Sequence, residues 1–447
     1  MSTNLPAKKG TRDDVFARLE DAGKDDLNWK DARLFGFIYR VEDEVLELGK
    51  EAYSRFQTEN GLSPFAFPSL KKFETEVISM VACDMMQGGP EACGSMTSGG
   101  TESILMAVKA AREWAKEKYP DIKEPEMIIP VTAHPAWNKA AHYLGLKCVV
   151  TPVTDDFRAD PQAFRDALTP NTIILVASAP TYPHGLVDPI DELGKIAEER
   201  GLWLHVDACL GGFVLPFARS KGYDIPPFDF AVPGVTSISA DVHKYGYAPK
   251  GASTVLYRNR EYRKHQFYIY CDWPGGIYAT PALAGGRPGG AVAASWAVLN
   301  YLGWEGYEGI VDRMMKTTQR MIDGINAIPD LQVLGTPHAT ILSFNSDTVN
   351  VFALGDEMKK RNWHMDAQQL PASLHLTISP KHEEIVDTFL GDLKEAVEAV
   401  RNLPETDLSE TAVMYGMMDT LPDRSMAKDM VRQFLDDLYT EDGKASV

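Results

Sequence analysis

The residues that first invite chemistry are two lysines in a nearly uncharged stretch. SISADVHKYGYAPKG, residues 237–251, sets His243, Lys244 and Lys250 among small, aromatic and apolar neighbours, with Asp241 its only acid. Most lysines lie on solvated surfaces, and such a face is one reading. The other is a reactive amine. Desolvation disfavours the ammonium and lowers its pKa, and a neutral amine is what Schiff-base formation needs.

Three further stretches have the same double character. TSGGTES, Thr97 to Ser103, places glycines and hydroxyls at a helix start. It is either a plain capping turn or a phosphate cradle made of free amides and the positive end of a helix dipole. It matches neither GxxxxGK[ST] nor GxGxxG. LWLHVDACLGGF ends a strand on His205, Asp207 and Cys209, alternating residues that share a face. Asp207 is either a structural cap or a buried carboxylate that needs a positive partner, such as a protonated ring nitrogen. TAHPAWNKAAH supplies His134 at another strand end, as a structural histidine or as a ring that stacks on a flat cofactor. Together these parts match what pyridoxal phosphate requires: a lysine to bond, an acid for the pyridinium and a phosphate site.

The elements that must position them are also legible. Short apolar runs, EMIIPV, KCVVTPV, TIILVASA, LWLHVDA and SISADV, alternate with amphipathic helices, which predicts right-handed crossovers and a parallel sheet with ligands at the strands' carboxyl ends. Helical patterns run from about Val15 to Phe56, from Lys71 to Met86 and from the Gly-rich turn to about Tyr119. Two more are expected from Gly289 to Tyr301 and from Gly306 to Ile328, and after them an α+β pattern. At 447 residues the chain exceeds one ordinary core, so one large and one smaller domain are expected.

A net charge of −18 argues against nucleic acid or an anionic membrane as a partner through bulk charge, so any anionic ligand needs a local site. The five cysteines form no CxxC pair and no Cys/His cluster, and no metal is expected. Free thiols, no signal-peptide core and no apolar run approaching about 18 residues predict a cytoplasmic protein without a transmembrane segment.

From about Arg33 to Tyr439 the chain resembles the sphingosine-1-phosphate lyases, fold-type I pyridoxal-phosphate enzymes related to the group II decarboxylases. The likeness rests on SMTSGGTESILMA, HVDACLGGF, GVTSISADVHKYGYAPKG, DWPGGIYATPALAG and YGMMDT. It implies an α/β fold of the PLP-dependent transferase type, with a mainly parallel seven-stranded sheet between helices and a small C-terminal α+β domain. The implied division is an N-terminal arm and helical segment over 1–60, a cofactor domain over 61–310 and a small domain over 311–447. The amino-terminal membrane anchor of the animal enzymes is expected to be missing.

By the same resemblance Lys244 bonds pyridoxal 5'-phosphate, Asp207 pairs with its ring nitrogen and His134 stacks on the ring. Gly100, Thr101 and His243 hold the phosphate, and Tyr182 and Cys209 also contact the cofactor. Lys250, Tyr39, Tyr278 and Tyr415 fall at active-site positions, some supplied by the second subunit of a homodimer with shared sites. Either Tyr278 or Lys250 could serve as base.

The substrate positions depart from the family pattern. Asn60 is kept, but Ser63 stands where the lyases have histidine, Gly286 where they have serine and Phe37 where they have a small alanine. Two lost phosphate donors, each worth ~1–3 kcal/mol if charge-assisted, would weaken phosphate capture unless replaced. The departures point to a changed substrate with retained lyase chemistry: retro-aldol cleavage of a β-hydroxy amine, phosphorylated or not, to an aldehyde and an amine. Amino-acid decarboxylation, with Arg40 or Arg287 as carboxylate clamp, is the alternative. A non-catalytic cofactor-binding protein is the third reading.

Overall fold

In the computed structural model, which describes residues 5–401 and 425–439, the helical pattern between Val15 and Phe56 resolves into two helices, α1 (Arg12–Ala22) and α2 (Asp43–Arg55). The chain between them is irregular, because tertiary pairing overrides local periodicity. The Phe35 amide donates to His364 O at 2.9 Å and the His364 amide to Arg33 O at 2.8 Å. Phe35 is thereby buried against Trp363, His382 and Phe389. Next, α3 (Pro68–Ser79) starts on a proline, whose missing N–H costs nothing in a first turn, and runs on as a π-helical segment to Met85.

The central sheet has seven strands: β1 (Cys93–Thr97), β2 (Glu126–Pro130), β3 (Lys147–Thr151), β4 (Thr172–Ser178), β5 (Trp203–Asp207), β6 (Val235–Ala240) and β7 (Ser253–Tyr257). Their order is β1-β7-β6-β5-β4-β2-β3, with β7 alone antiparallel to its neighbours. Strands β2, β4, β5 and β6 are buried along their whole length, as a sheet covered on both faces requires. The crossovers are α4 (Gly100–Lys118), α5 (Ala136–Leu144), α6 (Pro161–Ala167) and α7 (Ile190–Arg200), followed by the short α8 (Leu215–Ser220) and α9 (Arg260–Arg263). Two strands went unread in the sequence. In β1, CGSMT lacks a β-branched run, and β7 follows the lysine loop without a helix to announce it.

An exposed hairpin, β8 (Tyr268–Trp273) and β9 (Gly276–Thr280), precedes α10 (Gly289–Asn326), which kinks at Gly303 where φ is 56°. Val311 and Met314 of α10 belong to the core under the large sheet, Met321 and Ile325 to a second core. That second core lies under a four-stranded antiparallel sheet, β10 (Gln332–Val333), β11 (Ile341–Asn345), β12 (Asp366–Gln369) and β13 (Ala372–Thr377), in the order β10-β11-β13-β12. It is covered by α11 (Val351–Lys360) and α12 (Val386–Arg401). A further helix, α13, spans Ser425–Leu438. Among the described residues no helix is long and apolar enough to cross a membrane.

Candidate active site

The carboxyl ends of β4, β5 and β6 finish nearly flush, Ser178 opposite Asp207 and Asp207 opposite Ser239, so the loops beyond them open into one space. There a cleft of about 770 Å³ is lined by Lys244, Asp207, His134, Gly100, Thr101, Cys209, His243, Lys250, Tyr39, Phe37 and Tyr182. Eleven of the residues singled out in the sequence therefore meet in one cavity.

Helix α4 enters the cleft by its N-terminus. Gly99 at the cap offers no side chain, and while the Ser103 amide finds Gly99 O at 3.0 Å, the amides before it have no intrahelical acceptor. A Cβ on Gly100 would lie 2.8 Å from Asp241 Oδ2 and 2.9 Å from Cys209 Sγ, so only glycine fits this floor. Glu102 braces the cradle from behind, its carboxylate accepting the Ser98 amide at 2.7 Å and the Leu283 amide at 2.9 Å. The Ala252 amide donates to His243 Nδ1 at 3.3 Å, leaving the proton of the neutral ring on Nε2.

Asp207 is fixed by three donors: Trp137 Nε1 at 3.1 Å, the Cys209 amide at 3.1 Å and Ser239 Oγ at 3.4 Å. Burial pushes its pKa up, but His134, the Cys209 side chain and His205 outweigh that and hold the carboxyl below its ordinary value. An anionic carboxylate at the floor of the cleft fits a protonated ring nitrogen. His134 accepts the Ala136 amide on Nδ1 at 3.2 Å, and burial lowers its pKa against the pull of Asp207, so the ring stays neutral. Tyr182 stands edge-on to it, stacks on His375 at 4.3 Å and donates to Asp366 Oδ2 at 2.7 Å, which ties the small sheet to the cleft. These residues fit the phosphate, the ring nitrogen and the ring face of pyridoxal phosphate.

The lysines differ from the sequence expectation. Burial does work to lower the Lys244 pKa, but Asp241 Oδ2 lies 2.9 Å from its Nζ, and the net shift is upward. The i,i+3 spacing of Asp241 and Lys244 was the available signal. Lys250 is the lysine whose pKa falls, through burial and the nearby Lys244. Its Nζ sits 5.0 Å from the centre of the Tyr39 ring. The Tyr39 hydroxyl is pushed up to about 12, mainly by burial.

Asn60, Ser63, Gly286 and Tyr278 do not line this cleft. Apart from Ser63 they meet elsewhere: Asn60 Oδ1 accepts the Leu62 and Arg287 amides at 3.0 Å, a Cβ on Gly286 would lie 3.2 Å from Asn60 Nδ2, and one on Gly285 would lie 3.0 Å from the Tyr278 hydroxyl. Ser63 sits in the adjoining turn, its Oγ accepting the Ala66 amide at 3.3 Å. Neither proposed carboxylate clamp is free. Arg287 pairs with Glu74 at 2.6 Å, and Arg40 pairs with Asp43 at 2.7 Å. Tyr415 lies outside the described residues. Trp137, Asp241 and Asp366 went unread as site residues because their partners are distant in sequence or, for Asp241, because its aspect toward Lys244 is a matter of geometry.

The pyridoxal-dependent decarboxylase conserved domain matches residues 38–346. A sphingosine-1-phosphate lyase of Arabidopsis thaliana is 46% identical over 98% of this chain and 81% of its own length. The solved structure of a sphingosine-1-phosphate lyase from Burkholderia pseudomallei superposes with a TM-score of 0.90 at 37% identity, covering 99% of this chain and 98% of that one. A Lactobacillus brevis glutamate decarboxylase shares the fold at a TM-score of 0.78 and 19% identity, over 90% of this chain and 96% of that one. With Lys244, Asp207, His134 and the N-terminus of α4 gathered in one cleft, the chain belongs, by these matches, to the sphingosine-1-phosphate lyase family, pyridoxal-phosphate-dependent lyases on the decarboxylase fold.

Proposed function

We propose that this lyase cleaves the Cα–Cβ bond of a phosphorylated long-chain β-hydroxy amine of the sphingosine-1-phosphate class, with Lys244 as the covalent residue and Lys250 as the base. The observation that carries the reading is that Lys250 stands in the same cleft as Lys244, Asp207 and the α4 cradle without an acid paired to it among the described residues. Bound pyridoxal phosphate supplies the sink for the electron pair released at Cα. The rest falls to the chain. Amides of Gly100 and Thr101, with His243, would hold the phosphate, Asp207 would keep the ring nitrogen protonated and His134 would lie against the ring. The Lys250 amine, its pKa lowered by burial and by Lys244, would take the proton of the β-hydroxyl, and Lys244 Nζ would deliver one to Cα. Pairing of Arg40 and Arg287 elsewhere leaves the decarboxylase reading without its clamp.

We further infer a homodimer in which Asn60, Ser63, Gly286 and Tyr278 complete the partner's cleft. What supports this is their position off the cleft of their own chain and the apolar surface beside them: Ile277 is 76% and Trp273 53% exposed on the β8–β9 hairpin. A cytoplasmic location is supported by five unpaired thiols. The test is product identification by mass spectrometry after incubation with sphingosine 1-phosphate, its unphosphorylated form and a panel of amino acids. An aldehyde and phosphoethanolamine from the first, at a rate exceeding the others, is expected; carbon dioxide from an amino acid as the main product would overturn the reading.

A further inference from the structure

The ion pair beneath the cradle has no role in the scheme above. Asp241 Oδ2 lies 2.9 Å from Lys244 Nζ, and the Asp241 side chain is 1% exposed. Its other oxygen, Oδ1, is buried and meets no partner among the described residues. Both oxygens lie within 3.0 Å of where a Gly100 Cβ would stand, so the carboxylate lies against the first turn of α4 as well as the lysine. An anion there is favoured by the helix terminus and by the ammonium together.

We propose that Asp241 is a positioning residue that holds Lys244 as an ammonium against the cradle whenever the lysine is not bonded to the cofactor, so that breaking this pair gates cofactor loading. The proposal rests on the reading of Lys244 as the covalent residue. An amine attacks a carbonyl only after its proton leaves, and the pair in its buried setting keeps that proton in place. The other groups facing the pair do not replace Asp241. Asp207 is engaged by Trp137 and the Cys209 amide. Cys209 and Tyr39 are pushed upward, chiefly by burial, so neither is an anion near neutral pH. His134 and His243 are held neutral by burial, and Lys250 opposes the ammonium by charge. Tyr182 and Tyr245 are likewise raised, mainly by burial.

The experiment uses the full-length protein freed of cofactor. Pyridoxal 5'-phosphate is added between about pH 6 and pH 10, borohydride fixes what has bonded, and peptide mass spectrometry gives the rate of capture at Lys244. For the wild type the rate is expected to keep rising through the whole range. Asp241→Asn, checked for folding by circular dichroism, is expected to capture at least about tenfold faster at neutral pH, with its rise displaced to lower pH. A rate–pH curve of the folded variant that superposes on the wild type overturns the proposal, as does loss of capture, which would make Asp241 an activator. Should the variant not fold, the wild-type curve decides alone, and a plateau near neutral pH overturns the proposal. Label found on a residue other than Lys244 would instead overturn the assignment of the covalent lysine.

Discussion

At the residue scale the division of labour between the two lysines is the point most open to test. Lys250 is set apart by a lowered pKa and by having no acid paired to it among the described residues, whereas Lys244 is held by Asp241. Arginine keeps a cation at this place but cannot act as a base near neutral pH. Lys250→Arg should therefore lower kcat by roughly 10²- to 10⁴-fold while changing KM much less. A rise in KM with kcat preserved would reduce Lys250 to a holder of the substrate's anion. That Lys244, Asp207 and His134 would face one cleft was legible in sequence, from residue type and strand-end placement taken together with the family resemblance. The protonation of Lys244 was not legible. Its sign depends on whether burial or Asp241 dominates, and only the 2.9 Å contact decides that.

At the scale of elements, the α4 N-terminus, which we propose as the phosphate cradle, has little room to spare. A methyl group on Gly100 would stand 2.8 Å from Asp241 Oδ2 and 2.9 Å from Cys209 Sγ, too close for either to remain in place. Overpacking of this kind costs about 1–3 kcal/mol. Gly100→Ala should accordingly weaken pyridoxal phosphate binding by roughly five- to hundredfold in equilibrium titration, at little cost to overall secondary structure. Unchanged affinity would place the phosphate elsewhere. The crossover helices and the buried strands were legible because apolar runs and helical periods alternate cleanly between 126 and 240. The stretch before α2 was not, since its course is set by pairing of Arg33 and Phe35 with His364, far along the chain. The domain division we propose at residue 310 falls inside α10, where one helix serves two cores and no change of composition marks the passage.

At the scale of the whole molecule two consequences follow from what is buried and what is not. His184, His205 and His375 have pKa values lowered to about 4 and His382 to about 3, all chiefly by burial. An unfolded histidine takes up its proton near pH 6.5. The unfolded chain thus binds more protons as pH falls from about 6.5 toward 4, and stability present above that window is lost within it. Asp188, raised to about 6 by burial, and Asp366, also raised by burial, work the other way, but they are two groups against these four histidines. Tm should fall by several degrees between about pH 7 and pH 5; a constant Tm would mean these histidines are not kept neutral. The second consequence concerns assembly. Residues expected in one active site form two groups in this chain, Lys244 with its neighbours in the cleft, and Asn60, Gly286 and Tyr278 outside it beside an exposed apolar hairpin. If each cleft is completed by a partner, a hybrid of Lys244→Ala and Tyr278→Phe chains has one site carrying both changes and one carrying neither. Each variant alone should be nearly inactive, and after subunit exchange about a quarter of the wild-type rate should return, since half the dimers are hybrids with one intact site. Exchange verified by mass spectrometry with no recovered activity would place both residues in the same site of one chain and remove the shared cleft.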